Sequence, residues 1–155
     1  MQLGIQGLKG AAAYADNARV VLESLGRADD KELRKCCDAL MKHLKYFVCE
    51  AAANTAFEMV LNVGRTNLDV TALLDQANAD LVGVPELGPT PTKLVPGPCI
   101  LVTGHDMGHL KSLLEVCERE GVNVYTHSEM SPAFMYPELK KSPRLVGNFG
   151  NAWWK

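Results

Sequence analysis

The apolar residues of this chain change their spacing once, and a proline-rich stretch marks the change. Pro85, Gly88, Pro89, Pro91, Pro96, Gly97 and Pro98 all fall within residues 81–98. Each proline removes a backbone donor and locks φ, so regular structure is disfavoured there. Before this stretch, apolar side chains recur three and four apart, the spacing of a helix face. After it, short strand-like runs flank a helical one, the pattern of a parallel α/β layer. The reading is a helical bundle over 1–80, a stiff linker over 81–98 and a partial α/β domain over 99–155. The fold class expected is α plus α/β: a three-helix bundle leading into the start of a Rossmann-like parallel layer.

Within the first region, an alanine-rich helix is expected from Gly7 to about Leu25, with Gly26 as its stop. Asp29 or Asp30 caps the next helix, and Glu32 stands at capping-box distance from Asp29. Leu33, Cys36, Cys37, Leu40, Leu44, Phe47 and Val48 then form one apolar stripe. The helical pattern continues through 51–53 to Leu61, with a break near Glu50. Asn62 to Gly64 is expected to end it, and Thr66 with Asp69 restarts a shorter helix through Val70, Leu73, Leu74 and Ala77.

The second region reads strand, helix, strand, turn, strand. Cys99–Thr103 is followed by Gly104-His105-Asp106, and Val122–Thr126 by His127-Ser128-Glu129. The helix between them carries Leu110, Leu113, Leu114 and Cys117 on one face, and Gly121 closes it. A third strand is expected at Leu145–Phe149. Crossovers of this kind are right-handed, so the three strand ends share one edge. Three strands with one crossover helix cannot cover both faces of a parallel sheet. The α/β part therefore reads as incomplete, with a missing C-terminal part or a partner chain supplying the remainder.

Bulk properties narrow the function classes. A net charge of −2 makes no electrostatic case for nucleic acid or an anionic membrane. No apolar run approaches the roughly 20 residues that span a bilayer. The N-terminus lacks a secretory signal, so a cytoplasmic location is expected. Five cysteines, two adjacent and none in a Cys-x-x-Cys pair, argue against a disulfide framework or a self-contained metal motif. They read as buried thiols.

Chemistry in a parallel sheet gathers at the carboxyl ends of its strands. His105 and Glu129 each lie just past such an end, placed to act as two metal ligands or as an acid/base pair. The competing account makes Asp106 a helix cap with His105 packed on the turn. His105, His109 and Glu129 together also suit a mononuclear zinc hydrolase, although Asp106 stands where a zincin helix carries glutamate. His127 alternates with Glu129 and reads as a hydrogen-bond donor supporting a ligand as readily as a ligand itself. His43, among lysines, reads as a solvated surface residue.

Gly104-His105-Asp106-Met107 and the run from Gly121 to Met130 closely resemble the hybrid cluster proteins, also called prismane proteins or hydroxylamine reductases. The likeness extends through Tyr136–Lys141 and Leu145–Gly150 and returns in Gly7–Asp16. The resemblance implies that His105 and Glu129, 24 residues apart as in that family, bind the iron of an iron–sulfur–oxygen hybrid cluster. It implies reduction of hydroxylamine to ammonia and water, or of another small nitrogen or oxygen substrate, with an external electron donor. His127 would then orient the Glu129 carboxylate. The family's four-cysteine motif for a cubane [4Fe–4S] cluster is absent from this chain. Its remaining hybrid-cluster ligands (cysteines, a glutamate and a lysine) lie in later sequence. A segment of this kind is expected to be inactive alone. The alternative is a non-catalytic module that has lost the cluster and pairs through Trp153 and Trp154.

Overall fold

The computed structural model of the protein describes residues 1–50 and 54–155; the helical continuation expected at 51–53 lies outside them. The fold is α plus α/β. Two compact units are resolved, Met1–Ala77 and Asn78–Lys155.

In the first unit, α1 (Gln2–Ser24), α2 (Lys31–Lys45) and most of α3 (Ala56–Val82) enclose one core. The first helix begins five residues earlier than its alanine run suggests. Gly4 and Gly7 lie inside it, and close packing explains why. A Cβ on Gly4 would sit 2.4 Å from Phe47 Cζ, and one on Gly7 would sit 3.3 Å from Val63 Cγ1. The missing side chains let neighbouring elements approach, which offsets the roughly 1 kcal/mol helical cost of each glycine. Asp30, rather than Asp29, caps α2 by accepting from the Glu32 and Leu33 amides. The Leu33 amide and the Arg27 guanidinium hold its carboxyl below the usual range.

A π-helical turn over Tyr46–Glu50 follows α2. The largest departure from expectation comes next: α3 passes without interruption through Asn62 to Gly64. Val63, Thr66, Val70 and Ala77 are all buried there, so one stripe runs unbroken across the glycine. Burial of that stripe outweighs the local turn signal. His43 is also not a solvated residue. Its Nε2 lies 2.8 Å from Thr66 Oγ1, and burial pushes its imidazole below the ordinary value. The unfolded chain therefore takes up a proton before the folded one as pH falls. Stability from the neutral ring is full above the unfolded value, about 6.5, and is lost as pH drops through the folded value. The thermal midpoint of this unit is expected to fall between about pH 7.5 and 5, and His43→Gln to flatten that slope.

In the second unit, β1 (Cys99–Val102), β2 (Asn123–His127) and β3 (Leu145–Phe149) form a parallel sheet in the order β1-β2-β3. The crossover helix α4 (Met107–Glu120) buries Met107, Leu110, Leu114 and Cys117 and ends on Gly121 at φ +70°. These side chains pack with Val124, Leu145 and with Met130, Ala133 and Phe134 of a 3-10 segment, Ser128–Met135. The short helix α5 (Pro137–Lys140) adds Leu139. Leu81 and Val82, assigned from sequence to the linker, form the last turn of α3, with Val82 fully buried. From Gly83 to Pro98 the chain takes neither helix nor strand. It is nonetheless tied to this unit: the Glu86 amide donates to Met135 O at 2.7 Å and the Asn148 amide to Pro91 O at 2.8 Å. Along β1, Cys99, Ile100 and Leu101 are exposed.

The cysteines divide. Cys36 and Cys117 are buried as expected, whereas Cys37, Cys49 and Cys99 are exposed; all five are free thiols. Helix periodicity alone put Cys37 on the apolar stripe beside Cys36, and packing selected only Cys36.

Candidate functional site

Register explains how two residues 24 positions apart meet. Val102 pairs with Thr126 across the parallel β1–β2 ladder. His105 lies three residues beyond Val102 and Glu129 three beyond Thr126, so both leave the sheet at the same level. Adjacent strands are about 4.8 Å apart, which side chains of this length span. The structure brings His105 Nε2 to 3.0 Å from Glu129 Oε2.

Local turns start each residue toward its place. Gly104, at φ +134°, turns the chain off β1 in a conformation that a side chain would resist. Asp106 then caps α4, Oδ1 accepting from the His109 amide at 2.8 Å. That cap also accounts for His109, whose Nδ1 lies 3.2 Å from Asp106 Oδ2. His105 precedes the helix and is free to face Glu129. Glu129 sits in the first turn of the 3-10 segment, directly after the end of β2.

The pair is exposed, with side-chain accessibilities of 78% and 45%. Exposed ion pairs contribute little to stability. Its consequence is chemical: a nitrogen and an oxygen donor held together at the sheet's functional edge. Two donors bound about 2.1 Å from one metal at right angles lie about 3 Å apart, the separation seen here. A third ligand is not supplied locally. Among the described residues no three His, Cys, Asp or Glu side chains converge. The zinc-hydrolase set of His105, His109 and Glu129 does not form, because His109 turns to Asp106.

His127 places Nδ1 2.7 Å from the Phe149 carbonyl. That nitrogen is therefore spent on the tip of β3.

Beside Glu129 opens a cleft of about 340 Å³, lined also by Ser128, Ser131, Asn148, Asn151 and Trp154. Sequence reasoning singled out none of its asparagines or serines. Their spacing carries no motif, and only the path of the chain beyond β3 brings them to the 3-10 segment. Trp153 and Trp154 are 68% and 67% exposed and pack edge-to-face, with centroids 5.5 Å apart. No helix among the described residues is long and apolar enough to cross a membrane.

Comparison with known proteins covers nearly the whole chain. A family model described as the Prismane/CO dehydrogenase family matches residues 2–155. Similar proteins include one named hydroxylamine reductase from Moorella thermoacetica, 46% identical over 149 residues, covering 96% of this chain and 34% of that protein. Another of that name, from Thermosipho melanesiensis, is 42% identical over 154 residues, covering 99% of this chain and 27% of its own length. A third, from Desulfitobacterium hafniense, is 42% identical over 155 residues with the same coverage. The chain thus spans between 27% and 34% of the length of these curated relatives. With all but its first residue inside the family match, the chain belongs to the Prismane/CO dehydrogenase family.

Proposed function

We propose that this chain contributes two ligands, His105 Nε2 and Glu129 Oε2, to an iron–sulfur–oxygen hybrid cluster in a protein that reduces hydroxylamine. The observation carrying the reading is the 3.0 Å approach of these atoms at the parallel strand tips. Family membership, with relatives named hydroxylamine reductase, supports it. Imidazole and carboxylate are harder donors than thiolate and suit an iron that also holds oxygen. When bound, such a cluster supplies the two electrons that conversion of hydroxylamine to ammonia and water consumes.

The donor set also defines what this chain leaves to the complete protein. Cys36, Cys37 and Cys49 belong to the helical unit. Cys99 begins β1, at the strand end opposite His105, and Cys117 is buried on α4. Within the Asn78–Lys155 unit, neither Cys99 nor Cys117 is placed to share an iron with the pair. On this reading, sulfur ligands, the cubane cluster and the electron donor come from outside these 155 residues, which span 27% to 34% of the relatives' length.

The test is anaerobic reconstitution with iron and sulfide, of this chain and of a protein of the relatives' full length. Iron, acid-labile sulfide and viologen-driven hydroxylamine turnover are measured. The full-length protein is expected to gain cluster and turnover, and the 155-residue chain neither. A stoichiometric cluster with turnover in the short chain would sink the reading, as would full cluster content in a His105→Ala, Glu129→Gln variant.

A second reading, a non-catalytic module that associates through aromatic contact, is favoured by the exposed Trp153–Trp154 pair. It requires concentration-dependent mass by light scattering that Trp153→Ala with Trp154→Ala abolishes.

A further inference from the structure

We infer that Ser128 is a positioning residue for Glu129, acting through a left-handed backbone turn that the segment following β3 holds in place. This deepens the reading of His105 and Glu129 as metal ligands and rests on it.

Ser128 follows the last residue of β2 and immediately precedes Glu129. Its φ is +51°, and among the described residues it is the only non-glycine at positive φ. An extended residue at this position would carry the chain onward past the sheet edge. The left-handed one folds it into the 3-10 segment, whose first turn presents Glu129. A residue with a Cβ resists that conformation and keeps it only where the surroundings over-determine it.

The surroundings are the residues around the end of β3. The Trp153 amide donates to Ser128 Oγ at 3.0 Å. One residue earlier, His127 Nδ1 donates to the Phe149 carbonyl at 2.7 Å. One earlier still, buried Thr126 donates through Oγ1 to Asn148 Oδ1 at 2.9 Å. The Asn148 amide group then donates to Gly150 O at 3.3 Å. Gly150 lies so close to the imidazole that a Cβ there would sit 2.7 Å from His127 Nδ1. All three residues before Glu129 are thus tied, in order, to Asn148, Phe149 and Trp153. The turn that aims Glu129 at His105 is held from the β3 side of the sheet, whereas His105 belongs to the β1 side.

Two readouts on the full 155-residue chain test this. The first needs no metal. In the parent, Glu129→Gln is expected to shift the His105 ring signals in the NMR spectrum. That shift is expected to persist on a Ser128→Gly background, since glycine takes positive φ at no cost. It is expected to vanish on a Ser128→Val background, since a β-branched residue does not hold that φ. The second readout is cobalt(II) titration, which reports imidazole and carboxylate donors in the visible spectrum. Ser128→Gly should bind within about twofold of the parent and Ser128→Val at least about tenfold more weakly. On a Glu129→Gln background the two should bind alike. Circular dichroism checks folding, and Ser128→Ala replaces the valine variant if that one unfolds, with the same direction of change. Retention of the His105 shift in the folded valine or alanine variant overturns the proposal. So does a cobalt loss of equal size with and without Glu129. Failure of the parent to bind cobalt at His105 instead overturns the ligand reading, and the NMR arm still decides the role of Ser128.

Discussion

Glu129→Gln is expected to lower hydroxylamine turnover of the full-length protein by at least about 100-fold and to deplete the iron of the hybrid cluster while sparing the cubane cluster, since even groups that only support a metal's ligands cost 10- to 100-fold in affinity or activity when removed. Glutamine preserves the side chain's length and its place in the 3-10 segment, so the change isolates the loss of the anionic donor that meets His105 Nε2 at 3.0 Å. His105→Ala is expected to act in the same direction and by a similar factor. Combining the two should cost little more than either alone, because donors to one iron act as a unit. His109→Ala serves as the internal control. Its imidazole is directed to Asp106, so turnover should remain within about twofold, the range of surface changes away from a site. A His109→Ala loss as large as that of Glu129→Gln would show that the pair has been misassigned. The measurements are iron and sulfide analysis on purified protein and steady-state kinetics with a viologen donor.

Leu110→Ala is expected to destabilise the Asn78–Lys155 unit by about 2–5 kcal/mol. Leu110 is 2% exposed and packs in the core that α4 shares with Val124, Phe134, Leu139 and Leu145. A unit of this size has a total stability of only about 4–12 kcal/mol. The substitution therefore removes a large part of it. Urea unfolding followed by NMR signals of this unit gives the number. A loss below about 1 kcal/mol would mean that α4 packs loosely on the sheet. The consequence for the site is direct, since α4 begins at the Asp106 cap, one residue after His105. A loosened α4 should weaken the His105–Glu129 contact.

What could be read from the residues alone has a common character. Gly121 as the stop of α4, Asp106 as its cap, the third strand at Leu145–Phe149 and the approach of His105 to Glu129 were all legible. Each depends on short-range chemistry or on the regular geometry of a parallel ladder. Once two strands pair in register, equal offsets past paired residues bring two positions to the same level of the sheet edge, and the turns at Gly104 and Ser128 then aim the side chains.

The features that were not legible all depend on partners distant in sequence. Asn62–Gly64 carries a stop signal, yet α3 continues because Val63, Thr66 and Val70 are buried against other helices. His43 sits among lysines, yet its ring reaches Thr66, 23 residues away. The start of α1 ahead of Gly7 was not read from the sequence, and Gly4 and Gly7 gain their reason only when Phe47 and Val63 are placed against them. The same holds for Ser128, an ordinary strand-end serine in sequence. Its left-handed turn exists because Trp153 and Phe149 return to the tip of β2. Periodicity and register are local rules that a reader can apply residue by residue. Long-range burial and hydrogen bonds become visible only when the chain has closed on itself, and here they decided how firmly the two donors are held.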